Sequence, residues 1–75
     1  MTAAEVKNLI LIGLPEATVE VVDQRGTGDH FSAVVTSAEF RDLSLVEQHK
    51  RVYATLGNRL TNEIHALQLK TQSPD

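Results

Sequence analysis

The sequence predicts a two-layer α+β domain of order helix, strand, strand, helix, strand (α-β-β-α-β): a three-stranded mixed sheet with helices packed on one face. Three observations lead there. The apolar residues recur at about 3.6-residue spacing in two segments and at two-residue spacing in three others. A Gly-rich turn joins the first two strand-like runs, which marks an antiparallel hairpin. A helical segment separates the second and third strand runs, and such a crossover normally sets its flanking strands parallel and right-handed. The 75 residues suffice for one small domain, so 1–75 is read as a single unit.

Thr2-Ala3-Ala4-Glu5 has the pattern of a capping box, and the helix it opens carries Val6, Leu9, Ile10 and Leu14 on one side. Gly13 and Pro15 are expected to end it, Gly13 as a left-handed cap and Pro15 because it cannot continue a helix. Ala17 to Asp23 sets Val19 and Val21 against Thr18, Glu20 and Val22, a strand pattern. Arg25 to Asp29 is a turn, and His30 to Thr36 a second strand with Phe31, Ala33 and Val35 on one face. Ser37 to Asp42 is a connection with one helical turn around Phe40. Ser44 to Glu47 is a second capping box. Its helix carries Leu45, His49, Val52, Leu56 and Leu60, with Val46 and Tyr53 widening the stripe and Gly57-Asn58 weakening it. Thr61-Asn62 is the turn into the third strand. There Ile64, Ala66 and Gln68 alternate with His65, Leu67 and Leu69, and residues 71–75 form a flexible tail.

Composition narrows the functional classes. The chain has no cysteine, so it has neither a disulfide nor a thiolate ligand, and any metal must be held by imidazole, carboxylate or a partner's ligands. Ten acidic residues against seven basic give a net charge of −3, which argues against general nucleic-acid binding. No apolar run is long enough for a membrane span and no basic region leads a signal peptide, so a cytoplasmic protein is expected. No Gly-x-Ser-x-Gly elbow and no phosphate-binding Gly-rich loop occurs, and no enzymatic activity is expected. The candidates for chemistry are three histidines, His30, His49 and His65, none with a His or Cys neighbour at zinc-ligand spacing.

Three stretches in register resemble the BolA family: Asp29-His30-Phe31-Ser32-Ala33-Val34-Val35-Thr36-Ser37, the segment His49-Lys50 followed by Val52-Tyr53, and Ile64-His65-Ala66-Leu67. The match runs from about residue 17 to Thr71, in the short-loop form of the family. The resemblance implies a BolA/KH-like fold. It also implies an adaptor that pairs with a monothiol glutaredoxin and shares a [2Fe-2S] cluster in iron–sulfur trafficking or in iron and redox regulation. His65 matches the family's cluster-ligating histidine. The alternative is a half-buried histidine satisfied by a backbone carbonyl. The family often places a Cys or His in the hairpin turn as second ligand. Here the turn is short and lacks cysteine, which makes His30 the substitute, with Thr27 and Asp29 the other residues available. The alternative for His30 is an exposed histidine at the turn's edge. His49, Lys50 and Arg51 match a basic Arg-His-Arg site, with Gln48 in place of the first Arg. They would form a partner or nucleic-acid patch, unless His49 simply borders the core. Family members commonly continue past the third strand with another short helix, which is expected to be absent or vestigial here.

A two-iron cluster takes four ligands, and this chain offers two imidazoles at most, so no cluster is expected on the isolated chain. The glutaredoxin with its glutathione would supply two thiolates. A homodimer is a further partner state to expect. The competing class is a nucleic-acid-binding transcriptional regulator of BolA/KH-like type. Against it stand the acidic balance and the lack of a Gly-x-x-Gly loop.

Overall fold

The computed structural model describes residues 1–64 and 66–75, with only the backbone of Thr61. Helix α1 spans Ala3–Gly13, β1 Thr18–Asp23 and β2 His30–Thr36. A 3-10 turn at Ala38–Phe40 precedes α2, Leu45–Leu56, then the short α3, Arg59–Asn62, and β3, Ala66–Gln72. The sheet order is β1-β2-β3, with β1–β2 antiparallel and β2–β3 parallel. The α+β plan with a mixed three-stranded sheet stands.

Both helices begin as their capping boxes dictate. Thr2 Oγ1 accepts from Glu5 N–H at 3.1 Å, and Glu5 Oε1 accepts from Thr2 N–H at 3.0 Å. Ser44 and Glu47 repeat the exchange at 3.2 and 3.1 Å. Each box satisfies amide donors that have no partner inside the helix. Both Glu carboxyl groups are held below their usual range, first by the hydrogen bond from the capping residue's backbone N–H and next by that residue's hydroxyl.

Helix α1 packs on β1 and α2, and α2 packs on β3. Between helices and sheet lies the core, in which Val6, Ile10, Val19, Phe31, Val35, Phe40, Val52, Leu56 and Ile64 are buried. β2, in the middle, alternates cleanly: Phe31, Ala33 and Val35 are buried, while His30, Ser32, Val34 and Thr36 are half-buried on the opposite face. On that outer face Thr18, Glu20 and Val22 of β1 and Ala66, Gln68 and Lys70 of β3 are exposed.

The structure corrects several expectations. Gly13 does not adopt a left-handed conformation; the glycines that do are Gly26, Gly28 and Gly57. Gly13 closes the last turn of α1, where a Cβ would fall 2.4 Å from Thr55 Cγ2, so it serves close packing of α1 on α2. The left-handed cap belongs to Gly57, at φ 57° after Leu56. Leu45, Val46 and Tyr53 are exposed rather than part of the buried stripe. One turn before Val52, Gln48 turns inward instead. Its Nε2 donates to Leu43 O at 3.0 Å and Phe40 O at 3.4 Å, and its Oε1 accepts from Thr71 Oγ1 at 2.8 Å. Leu60 lies beyond α2, in α3.

Thr61-Asn62 is not a bare turn. After Gly57 the chain resumes helical bonding, with Asn62 N–H to Asn58 O at 3.2 Å and Ile64 N–H to Arg59 O at 2.7 Å. No Gly or Pro interrupts that stretch, and the buried Ile64 anchors it. Ile64 therefore precedes β3 and escapes its alternation: Ala66 and Gln68 face solvent while Ile64 is in the core. At the far end Thr71 and Gln72 are the last residues of β3, and Thr71 is buried, so the strand extends two residues into the expected tail.

Candidate functional site

The candidate corner is built on the turn between β1 and β2. Asp23, the last residue of β1, gathers three amide donors. Its Oδ1 accepts from Arg25 N–H at 3.3 Å and Gly26 N–H at 2.9 Å, and its Oδ2 from Gly28 N–H at 2.9 Å. Gly28, at φ 77°, leaves no space for a side chain, because a Cβ there would meet Met1 O at 2.6 Å. The turn is thus fixed by one carboxylate and by close approach to the start of α1.

It delivers Asp29 and His30 to the beginning of β2. Asp29 Oδ1 lies 2.8 Å from His30 Nδ1 and accepts from the Thr27 hydroxyl as well. The Asp29 carbonyl accepts from Ala66 N–H at 3.1 Å, and His30 stands opposite Ala66 in the parallel ladder. An ionised carboxylate only accepts hydrogen bonds, so the imidazole nitrogen facing it carries the proton. In neutral His30 the lone pair is then on Nε2, the form in which histidine binds metals.

His30 is placed on the sheet face opposite Phe31, as its position in the alternation requires, but it is not the exposed turn-edge residue of the alternative reading: its side chain is only 14% exposed, against 44% for Asp29. His65, the residue before Ala66 in the sequence, lies outside the described residues. Among the described residues no three His, Cys, Asp or Glu side chains converge as a metal cage. What the corner itself presents is one imidazole with a carboxylate on its Nδ1.

The residues of the expected basic patch, His49, Lys50 and Arg51, follow one another on α2. His49 is half-buried on α2, and its Nε2 is shut off from solvent with no hydrogen-bond partner among the described residues. Its ring meets Tyr53 edge-on, with centroids 6.1 Å apart. Lys50 is exposed, whereas Arg51 donates to Glu39 Oε1. The sequence offers Asp29, with Thr27, only as another available ligand beside the substitute His30, and does not disclose its bond to His30. The signal available was the bare Asp-His adjacency at the mouth of a strand. Gln48 was likewise read as a departure from a basic motif, while its amide joins α2 to β3.

A family model described as BolA-like protein matches residues 15–75. The chain belongs to the BolA-like family. A relative from Rickettsia prowazekii is 30% identical over 97% of this chain and 95% of its own length. A Haemophilus influenzae protein named DNA-binding transcriptional regulator BolA is 39% identical over 68% of this chain and 50% of its own length. Among solved structures, a bolA protein homologue from Coxiella burnetii superposes with a TM-score of 0.85 at 37% identity, covering 100% of this chain and 94% of that one. These relatives match the fold built above. Among the described residues, no helix is long and apolar enough to cross a membrane.

Proposed function

We propose that this BolA-like chain is an adaptor that completes the coordination of a [2Fe-2S] cluster held by a monothiol glutaredoxin and its glutathione. The observation carrying this reading is His30. It is a largely covered imidazole at the mouth of the central strand, anchored through Nδ1 to Asp29 and beside the first residue of β3. His65, which precedes that residue in the sequence, is the second histidine in the proposal. Such a cluster takes four ligands. A chain without cysteine offers imidazoles, which pair naturally with two thiolates from a partner. When bound, the cluster would supply electron storage at a potential raised by histidine ligation relative to thiolate-only ligation, as in Rieske centres. The chain's own part is to present imidazole to the cluster, and for His30 the packed sheet and the Asp29 contact hold the ring in place.

The test is anaerobic reconstitution with a monothiol glutaredoxin and glutathione, followed by visible absorption and circular dichroism. Adding this chain should change the spectrum of the glutaredoxin cluster, and His65→Ala should abolish that change while leaving the fold intact. Identical spectra for the variant and the native chain would remove His65 from the ligand set.

A second reading, a nucleic-acid-binding regulator, is favoured by the names of relatives such as the Haemophilus influenzae protein. The net charge of −3 and the engagement of Arg51 by Glu39 leave it a sparse basic surface. Sequence-specific DNA binding that survives physiological salt in a mobility-shift assay would promote it over the adaptor reading.

A further inference from the structure

The Asp29 carboxylate does something at this corner that the ligand assignment alone does not require. It sits between the turn and the sheet, held at both ends. Its carbonyl bonds the first amide of β3, and its Oδ1 takes a hydrogen bond from Thr27 besides facing His30 Nδ1 at 2.8 Å. Resting on the reading of His30 as a ligand, we infer that Asp29 is the positioning residue of this site, locking the His30 proton on Nδ1 so that the Nε2 lone pair is the one offered to iron.

The argument is one of donors and acceptors. The histidine side chain in water prefers its proton on Nε2, and in that form Nδ1 would present a lone pair to a carboxylate that has no hydrogen to give. At 2.8 Å two acceptors repel, so the carboxylate selects the opposite tautomer. The Thr27 hydroxyl keeps the carboxylate turned toward the ring, and the ring, 14% exposed, has little room to rotate away. Carboxylate partners of metal-bound histidines fix ring orientation and raise ligand basicity. Removing one typically costs about 10–100-fold in metal affinity. The carbonyl bond to Ala66 adds a second effect, because it ties the His30 corner to the first residue of β3.

The direct test needs no metal. Long-range proton–nitrogen correlation spectra of the nitrogen-15-labelled chain in alkaline buffer report which His30 nitrogen is protonated. The native chain should show His30 with a protonated Nδ1 and a bare Nε2. Asp29→Ala should move the proton to Nε2, whereas Asp29→Asn, whose side-chain oxygen still accepts, should preserve the native form. A native chain protonated on Nε2, or an Asp29→Ala variant that keeps the Nδ1 proton with a native amide spectrum, would overturn the inference. In the reconstituted complex with glutaredoxin, Asp29→Ala should shorten the cluster's lifetime at least about tenfold, and Asp29→Asn should restore most of it. A tautomer that responds to Asp29 as stated, together with a cluster lifetime unaffected by His30→Ala, would sustain the positioning role of Asp29 and sink the ligand reading of His30.

Discussion

His30 and His49 are both partly buried, and the chain treats them in opposite ways. His30, at the mouth of β2, has a carboxylate on one ring nitrogen, supplied by a turn that an aspartate and two left-handed glycines hold in shape. His49, midway along α2, has a ring nitrogen shut off from solvent without a partner among the described residues, and an aromatic edge beside it. The first arrangement fixes a tautomer and directs a lone pair. The second leaves a polar atom unpaired, which costs stability. The difference lies in what each ring meets, a carboxylate for His30 and an aromatic edge for His49, and proximity to basic residues in the sequence does not reveal it.

The comparison breaks entirely if the core beneath the corner is removed. Phe31 follows His30 and is fully buried in the core. Phe31→Ala should cost about 3–5 kcal/mol, against a total of about 5–15 kcal/mol for a domain, measured by urea denaturation. The corner and its histidine order would go with it.

Replacing each histidine by leucine sharpens the contrast. His30→Leu deprives the Asp29 carboxylate of a donor and should lose about 1 kcal/mol, the carboxylate being open enough to recover water. His49→Leu removes the unpaired nitrogen and should leave stability unchanged or raised by up to about 1 kcal/mol. The urea midpoint should fall for His30→Leu and stay level or rise for His49→Leu. A loss of stability in His49→Leu comparable to that in His30→Leu would show that His49 is satisfied in solution.

The smallest effect concerns the caps. Glu5 and Glu47 have folded pKa values held below 4.5, so their contribution to stability is present above 4.5 and is lost as pH falls through the lower folded values. The double variant Glu5→Gln, Glu47→Gln should melt slightly below the native chain at neutral pH, and the gap should close on acidification.

Much of this could be read from the residues. Both capping boxes, the hairpin and the alternation of β2 are local patterns, and local patterns decide them. The misreadings share a cause in tertiary contact. Gly13 looked like a cap because glycine usually is one there, but Thr55 across the helix pair set its role. Leu45 and Val46 fit an apolar stripe by spacing, yet the inward position one turn before Val52 went to Gln48, whose partners are carbonyls of Phe40 and Leu43 just before α2 and the Thr71 hydroxyl on β3, none of them visible to periodicity. At the site, the candidate histidines were legible as types. The fixing of His30 by Asp29 was not, because adjacent residues on a strand normally point to opposite faces; here Asp29 lies in the turn and reaches back.

The central claim, that the His30 corner and not α2 meets the shared cluster, is tested most directly by the lifetime of the reconstituted glutaredoxin complex, followed by visible circular dichroism, for the native chain, His30→Ala and His49→Ala. The account predicts a markedly more labile cluster for His30→Ala and a native lifetime for His49→Ala. Equal lifetimes for the native chain and His30→Ala, or selective loss in His49→Ala, would contradict it.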